Sequence, residues 1–189
     1  MDCTVPAIFT IGHSTRPITQ FLDLLAESGI ECVVDVRRLP GSRAFPQYDA
    51  DALREALRHV GIDYWHLVAL GGLRRAADAP AQADDTFWTN PSFRRYAAYA
   101  RTPAFAAGLE ALETRAMQQR CTLMCAEAVW WRCHRRIIAD YLLARGHPVL
   151  HIMGLGKVVP ALLTTGATVA AGEPVYPETA SHPKRSATP

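Results

Sequence analysis

The chain has 189 residues, 49% of them apolar, so it is long enough for one full hydrophobic core and too short for two full-sized domains. No run approaches the roughly 20 apolar residues that span a bilayer, and no export signal opens the chain, so we expect a cytoplasmic protein that does not bind membranes. The five cysteines are expected to be reduced thiols, and the net charge of +2 does not by itself indicate a nucleic-acid-binding protein.

The first strand is predicted at 7–12, an apolar run that ends in the turn Gly12-His13-Ser14. An amphipathic helix follows and stops at Gly29. A second β-branched strand is predicted at 31–37. Strand, helix and strand within about thirty residues form a βαβ unit, so these strands should be parallel.

The remaining elements follow the same alternation. Together they predict an α/β fold with a single domain over residues 1–166, whose mostly parallel sheet is flanked by helices in a Rossmann-like three-layer arrangement. Residues 167–189 are expected to form an irregular, flexible tail. The predicted elements are a loop at 39–46, a helix at 51–60, a strand at 62–67, a weakly patterned segment at 70–90, helices at 91–100 and 103–119, a strand at 121–124, a long helix at 127–145 and a strand at 147–153.

In an open parallel sheet, ligands bind outside the carboxyl ends of the strands. This rule gathers polar residues from distant parts of the chain at one edge, and we therefore expect a single cleft there. Its walls should come from the turn with His13 and Ser14, the strand end with Asp35 and Arg37, the loop with Ser42 and Arg43, the segment with Gly71 and Gly72, and the junction with Cys125 and Glu127.

Cys125 is predicted just before the long helix, where the helix dipole favours a thiolate. It is therefore a candidate nucleophile, although a buried cysteine acting as a small apolar residue is the alternative. Glu127 either complements the same dipole or serves as a general acid or base. Asp35 either shares proton transfer or forms an ion pair with Arg37 or Arg135.

Residues 132–135, which follow soon after Glu127, are also open to two interpretations. Cys133 has the spacing of the buried stripe of the helix, and His134 is either a site residue or a packed core histidine. Arg132 and Arg135 lie near the predicted helix start, where a cation is unfavourable unless an anion compensates it. They therefore indicate a bound anion.

Three more specific sequence motifs are absent. A tyrosine-phosphatase loop requires arginine at the sixth position after the cysteine, and that position after Cys125 is Trp131. No Cys-x-x-Cys pair is present, and Cys125 with Cys133 and His134 does not have the usual spacing of zinc ligands. A nucleotide-binding glycine loop is also missing after the first strand. The sequence therefore predicts neither a metal nor a cofactor.

The chain resembles the domain of unknown function 488 family over about residues 8–153. The resemblance implies an α/β domain of bacterial type, and it implies no particular reaction. The signature positions carried over are His13, Asp35, Arg37, Ser42, Cys125, Glu127, Cys133, His134 and Arg135. The motifs that carry it are Thr10-Ile11-Gly12-His13-Ser14, Val34-Asp35-Val36-Arg37, Pro40 with Ser42-Arg43, Leu70-Gly71-Gly72, and Met124-Cys125-Ala126-Glu127 with Cys133-His134-Arg135.

Our first hypothesis is an enzyme, a hydrolase or thiol-dependent transferase, acting on a small anionic substrate that bears a phosphate or is a nucleotide. The catalytic candidates are Glu127, Cys125, His13 and Asp35, and the anion-binding candidates are Arg37, Ser42, Arg43, Arg135, His134 and Ser14.

Two alternatives remain. One is a non-catalytic scaffold whose polar cluster only holds loops together. The other is a module that binds or processes nucleic acid, in which arginines contact phosphates and tryptophans stack on bases. Its residues would be Arg74, Arg75, Arg94, Arg95 and Arg132 with Trp88, Trp130 and Trp131.

Overall fold

The computed structural model describes residues 5–41, 43–78 and 87–177. In these ranges, strands and helices alternate along most of the chain, as predicted. The helices are α1 Ile18–Glu27, α2 Ala50–His59, α3 Pro91–Tyr99, α4 Pro103–Ala116 and α5 Arg135–Ala144. The strands are β1 Ile8–Gly12, β2 Cys32–Asp35, β3 Asp63–His66, β4 Cys121–Cys125, β5 Val149–Gly154, β6 Lys157–Pro160, β7 Thr168–Ala170 and β8 Glu173–Val175.

Six strands form one sheet in the order β3-β2-β4-β1-β5-β6. All neighbouring strands are parallel except β6, which pairs antiparallel with β5. Gly12 lies opposite Cys125 across the central pair, and Asp35 lies opposite Met124. The carboxyl ends of β1, β2 and β4 therefore meet at one edge, as the sequence predicts.

Helices cover both faces of the sheet, because successive residues of a strand point to opposite sides. Val33 packs in a core cluster with Phe21 of α1 and Leu53 of α2. Val34, the next residue, packs in the opposite cluster with residues of α3, α4 and α5. The α/β fold with three layers is confirmed.

Helices α3 and α4 begin where proline follows a capping residue. The side chain of Asn90 accepts a hydrogen bond from the backbone of Ser92, and Pro91 starts the helix. The hydroxyls of Tyr96 and Tyr99 then donate to the carbonyls of Leu70 and Ala69, both at 2.7 Å. These bonds hold the segment before Gly71 against the helical layer.

The predicted long helix from 127 is wrong over its first eight positions, because α5 begins only at Arg135. The chain from 126 to 134 is instead a loop that contains one 3-10 turn at Trp130–Arg132. Arg135 Nη2 donates to the carbonyl of Glu127 at 2.5 Å, which ties the loop to the start of the helix. Cys125 and Glu127 therefore do not lie in a helical first turn, and Cys133 is buried ahead of the helix.

The segment expected to be irregular from 167 contains the β7-β8 hairpin. After the hairpin, the Tyr176 hydroxyl donates to buried Asp140 of α5 at 2.8 Å, and its ring contacts Trp88. Residues 178–189 lie outside the described part of the chain. No helix in the described ranges is long and apolar enough to cross a membrane.

Candidate active site

A cavity of about 560 Å³ opens at the carboxyl edge of the sheet, where the sequence predicts a cleft. Its walls come from the segments that follow β1, β2, β3 and β4. Six predicted site residues line it: His13, Ser14, Arg37, Cys125, Glu127 and His134.

Asp35 fixes Arg37 at the floor of this cavity. The Asp35 carboxylate is fully buried and accepts from Arg37 Nη2 at 2.6 Å and from Nε at 2.9 Å. Tyr64 donates to the same carboxylate at 2.8 Å. Burial disfavours the charged guanidinium, but the contacts with Asp35 outweigh burial and raise the pKa of Arg37. Asp35 itself does not line the cavity, so it acts on the site through Arg37.

His13 presents a neutral imidazole to the cavity. Its Nδ1 donates to the carbonyl of Ser14 at 2.9 Å, since a carbonyl oxygen can only accept, and this leaves Nε2 as the acceptor, 3.4 Å from Arg37 Nη1. The ring stacks on Tyr48 with centroids 4.0 Å apart. Burial, with a smaller contribution from the charge of Arg37, lowers the pKa of His13 to about 4. The Nε2 lone pair is therefore free of a proton at neutral pH.

The turn after β1 is joined to the loop after β4. The His13 amide donates to the Cys125 carbonyl at 2.9 Å, and the Ser14 amide donates to the Ala126 carbonyl at 3.0 Å. Ser14 has a φ of 50° and Leu73, on another wall, a φ of 53°. Left-handed backbone at non-glycine residues is unfavourable and concentrates at functional sites. Two such residues therefore flank the same opening.

Two sulfur atoms lie beneath the cavity. Cys125 Sγ is 2.9 Å from Cys133 Sγ, and Arg135 Nε donates to Cys133 Sγ at 3.3 Å. Burial opposes ionisation of Cys133, but the hydrogen bond from Cys125 and the positive charge nearby, including Arg135, lower its pKa. The same hydrogen bond and burial raise the pKa of Cys125. The pKa values of the two thiols are therefore shifted in opposite directions, which favours the thiolate at Cys133 over the thiolate at Cys125.

His134 lies beside this pair. Its Nε2 donates to the Val36 carbonyl at 3.0 Å, and its Nδ1 is 3.5 Å from Cys133 Sγ. The donor atoms of Cys125, Cys133 and His134 lie within 4.8 Å of one another, although their spacing in sequence did not indicate metal ligands. These atoms suit a zinc-like ion, but the Arg135 guanidinium on Cys133 opposes a divalent cation.

Glu127 is exposed on the cavity wall. Within residues 5–41, 43–78 and 87–177, its carboxylate has neither a hydrogen bond nor an ion pair. A carboxylate that lines the same cavity as the neutral imidazole of His13 can take part in proton transfer there.

The sequence matches the model of one known protein family. The model of the family described as "Domain of unknown function DUF488" matches residues 17–142. The chain belongs to this family. The match confirms the resemblance and includes Arg37, Cys125, Glu127 and the stretch from Cys133 to Arg135, whereas His13 and Ser14 precede it. Neither the curated proteins nor the solved structures gave a match.

Three described site residues that the sequence predicted in this DUF488 domain do not line the cavity. Asp35 and Arg135 lie behind the residues that do, and Arg135 is only 1% exposed. Arg43 is exposed outside the cavity lining. Ser42 lies outside the described residues.

The sequence did not single out several residues of the site. Leu39, Phe45 and Leu73 give the cavity apolar walls, and they belong to loops that proline and glycine had marked as leaving this edge. Arg38 also lines the cavity and pairs with Asp78 at 2.5 Å. Tyr48, which supports His13 from behind, carried no signal, because its role arises only from the folded contact.

The residues proposed for nucleic-acid contact are largely engaged within the fold. The Arg74 guanidinium lies 3.6 Å from the centre of the Tyr99 ring and donates to the Gly71 carbonyl. Trp88 is buried, and Trp130 stacks on His151 with centroids 4.4 Å apart. Of the three tryptophans, Trp131 is the exposed one. These contacts give no support to base stacking by a tryptophan array.

Proposed function

We propose that this DUF488 protein is an enzyme whose cavity binds a small organic anion that bears a phosphate, such as a nucleotide. Arg37 supports this proposal most directly. Asp35 engages its Nε and Nη2, so that Nη1 remains directed toward His13 and the cavity. A guanidinium held rigidly by a buried carboxylate is well suited to orient an oxyanion.

The shape and lining of the cavity fit the rest of such a ligand. A volume of about 560 Å³ is within the range of small-molecule sites, which combine apolar walls with a few convergent polar groups. Here Leu39, Phe45 and Leu73 form apolar walls beside the polar floor of His13 and Arg37. An aromatic base or another flat organic group would contact these walls while its phosphate meets Arg37.

Hydrolysis is the reaction that these groups support best. A water molecule beside the bound phosphate would transfer a proton to His13 Nε2 or to the free Glu127 carboxylate as it attacks. Positive charge from Arg37 would stabilise the oxyanion that develops. Transfer to Cys125 is a second reaction class at the same cavity, because Cys125 is one of its lining residues.

Binding can be tested by the change in melting temperature with pyrophosphate, AMP and ATP at fixed ionic strength. A ligand at 100 times its dissociation constant adds about 2.7 kcal/mol to the free energy of unfolding, so the wild-type protein should melt several degrees higher. Arg37→Lys keeps a charge beside Asp35 but loses the planar fork, and should weaken binding about tenfold or more. Arg58→Gln, an exposed arginine of α2 paired with Glu55, is the matched control and should bind normally. No shift of the wild-type protein with any ligand would refute the proposal.

A catalytic role and a scaffolding role of Glu127 predict opposite effects of Glu127→Gln on turnover and on stability. As a proton-transfer residue, Glu127 should be needed for turnover of a ligand that binds, with a loss of about 10²- to 10⁴-fold. Because its carboxylate has no partner in the described part of the chain, stability should stay within about 0.5 kcal/mol. A loss of stability with unchanged turnover would instead support the scaffold. Glu110→Gln, at an exposed position of α4, should change neither property.

A further inference from the structure

We propose that Cys125 and Cys133 form a redox-active dithiol that reduces small organic disulfides entering the cavity. The two sulfur atoms are 2.9 Å apart, and a disulfide bond of about 2.05 Å requires them to approach by less than about 1 Å. Cys125 lines the cavity and Cys133 does not. The two thiols therefore have distinct positions, with Cys125 at the wall of the cavity and Cys133 behind it, and each residue is 3% exposed.

The surroundings of Cys133 favour a thiolate. Its sulfur accepts from the Arg135 guanidinium at 3.3 Å and from the Arg135 amide at 3.5 Å. Arg135 forms no ion pair with a carboxylate within the described ranges, so the thiolate is the anion that compensates it. The Glu127 amide also donates to Cys125 Sγ at 3.3 Å, which stabilises negative charge on that sulfur during attack.

The reaction consists of two exchanges. Cys125 Sγ attacks one sulfur of the substrate RSSR′, its proton passes to Cys133, and R′S⁻ leaves, so that a mixed disulfide forms at Cys125. Cys133 then gives up its proton to a departing thiolate and attacks Cys125 Sγ, which releases the second half of the substrate. Overall, the thiol and thiolate lose two electrons and one proton, and RSSR′ becomes one thiol and one thiolate, which takes up a further proton from water.

The chain contains an internal control for this proposal. Cys32 and Cys121 lie opposite each other on β2 and β4 and are both fully buried. A hydrogen bond from Cys121 lowers the pKa of Cys32. Neither residue lines the cavity. If accessibility through the cavity matters, this pair should not react.

The reduced wild-type protein can be treated with bis-hydroxyethyl disulfide, quenched with acid, alkylated and mapped by mass spectrometry. We expect the loss of two hydrogens, with Cys125 and Cys133 protected from alkylation and Cys32 and Cys121 still alkylated. Persistence of free Cys125 and Cys133 in the wild-type protein under excess disulfide would overturn the proposal, and this readout requires no variant.

Variants then assign the order of the steps. Cys133→Ser lacks the sulfur that takes the proton of Cys125, so it should react more slowly and stop at a mixed disulfide on Cys125. Cys121→Ser should behave like the wild-type protein. Cys125→Ser should leave Cys133 without an adduct. An adduct on Cys133 in that variant, or zinc that is retained by the purified wild-type protein and lost in Cys133→Ser, would overturn the assignment. The reaction does not require a bound nucleotide, so failure of one test does not decide the other.

Discussion

At the scale of single residues, the Asp35 carboxylate determines where the positive charge of the cavity lies. It is fully buried and bonds to Arg37 through two guanidinium nitrogens. Asp35→Asn should lower the free energy of unfolding by about 3–5 kcal/mol, because the buried Arg37 then lacks its compensating charge. Urea denaturation at pH 7 measures this change.

Asp51→Asn provides the comparison for that measurement. Asp51 also pairs with an arginine, Arg54 at 2.7 Å, but the pair is exposed on α2. Exposed ion pairs contribute little, so this change should hardly affect the urea midpoint. Equal effects of the two substitutions would contradict a special role for the buried pair.

The sequence predicted that Asp35 and Arg37 lie close together. It did not predict that Asp35 pairs with Arg37. Asp35 and Arg37 alternate on one strand, so they were expected to share one side of the sheet edge. The sequence left open whether Asp35 transfers protons, or pairs with Arg37 or with Arg135. The structure places it in the pair with Arg37, because burial leaves no water to satisfy either charge alone.

At the scale of elements, β1 and the loop after β4 touch at Gly12. A Cβ atom at this position would lie 1.9 Å from the Glu127 carbonyl oxygen and 2.8 Å from that of Ala128. Gly12→Ala should therefore displace the loop, lower stability by about 1–3 kcal/mol and weaken ligand binding. Calorimetry with and without ligand measures both effects.

Gly154→Ala is the matched control, since Gly154 also ends a strand of the sheet. A Cβ atom there meets nothing within 4 Å, so this variant should melt and bind like the wild-type protein. If Gly12→Ala kept the stability and ligand binding of the wild-type protein, the loop would be able to move away from β1 without affecting either property.

The same contact explains an error of the sequence interpretation. Residues 127–134 have side chains that suit a helix, and their apolar spacing extends the pattern of α5 backwards. Tertiary contacts override that preference, because the loop packs its carbonyls against Gly12 and accepts from Arg135. The central strands were predicted well, because continuous β-branched runs are a strong local signal.

At the scale of the whole molecule, two neutral histidines make folding depend on pH. Burial lowers the pKa of both His13 and His151 to about 4, from an ordinary value of 6.5. Between pH 6.5 and 4 the unfolded chain binds protons that the folded chain does not. The stability they give is complete above pH 6.5 and falls as the pH is lowered, by up to about 1.4 kcal/mol per pH unit for each histidine.

Urea denaturation between pH 4 and 7 tests this dependence. His151→Gln should reduce the slope, whereas His59→Gln, at an exposed position of α2, should leave it unchanged. A wild-type protein whose stability is flat across this range would contradict the neutral state of these histidines.

The sequence predicted the order of the helices and of the central strands, but it did not predict strands β6, β7 and β8 near the end of the described chain. Strand β6 is short, exposed along most of its length and antiparallel, so it lacks the buried run that marked the others. The β7-β8 hairpin is similarly exposed, and Tyr176, which follows it, donates a long-range hydrogen bond to Asp140 of α5. Such contacts between distant residues leave no periodic pattern in the chain.

The pairing of Cys133 with Arg135 links two properties of the domain. Among the described residues, Arg135 forms no ion pair with a carboxylate and contacts the Cys133 sulfur, so a disulfide at Cys133 would leave the guanidinium of a residue that is 1% exposed without a compensating negative charge. An anion held in the adjacent cavity would restore part of that balance, so the oxidised form should bind phosphate more tightly than the reduced form. By thermodynamic reciprocity, each bound anion should in turn make the sulfur pair easier to oxidise.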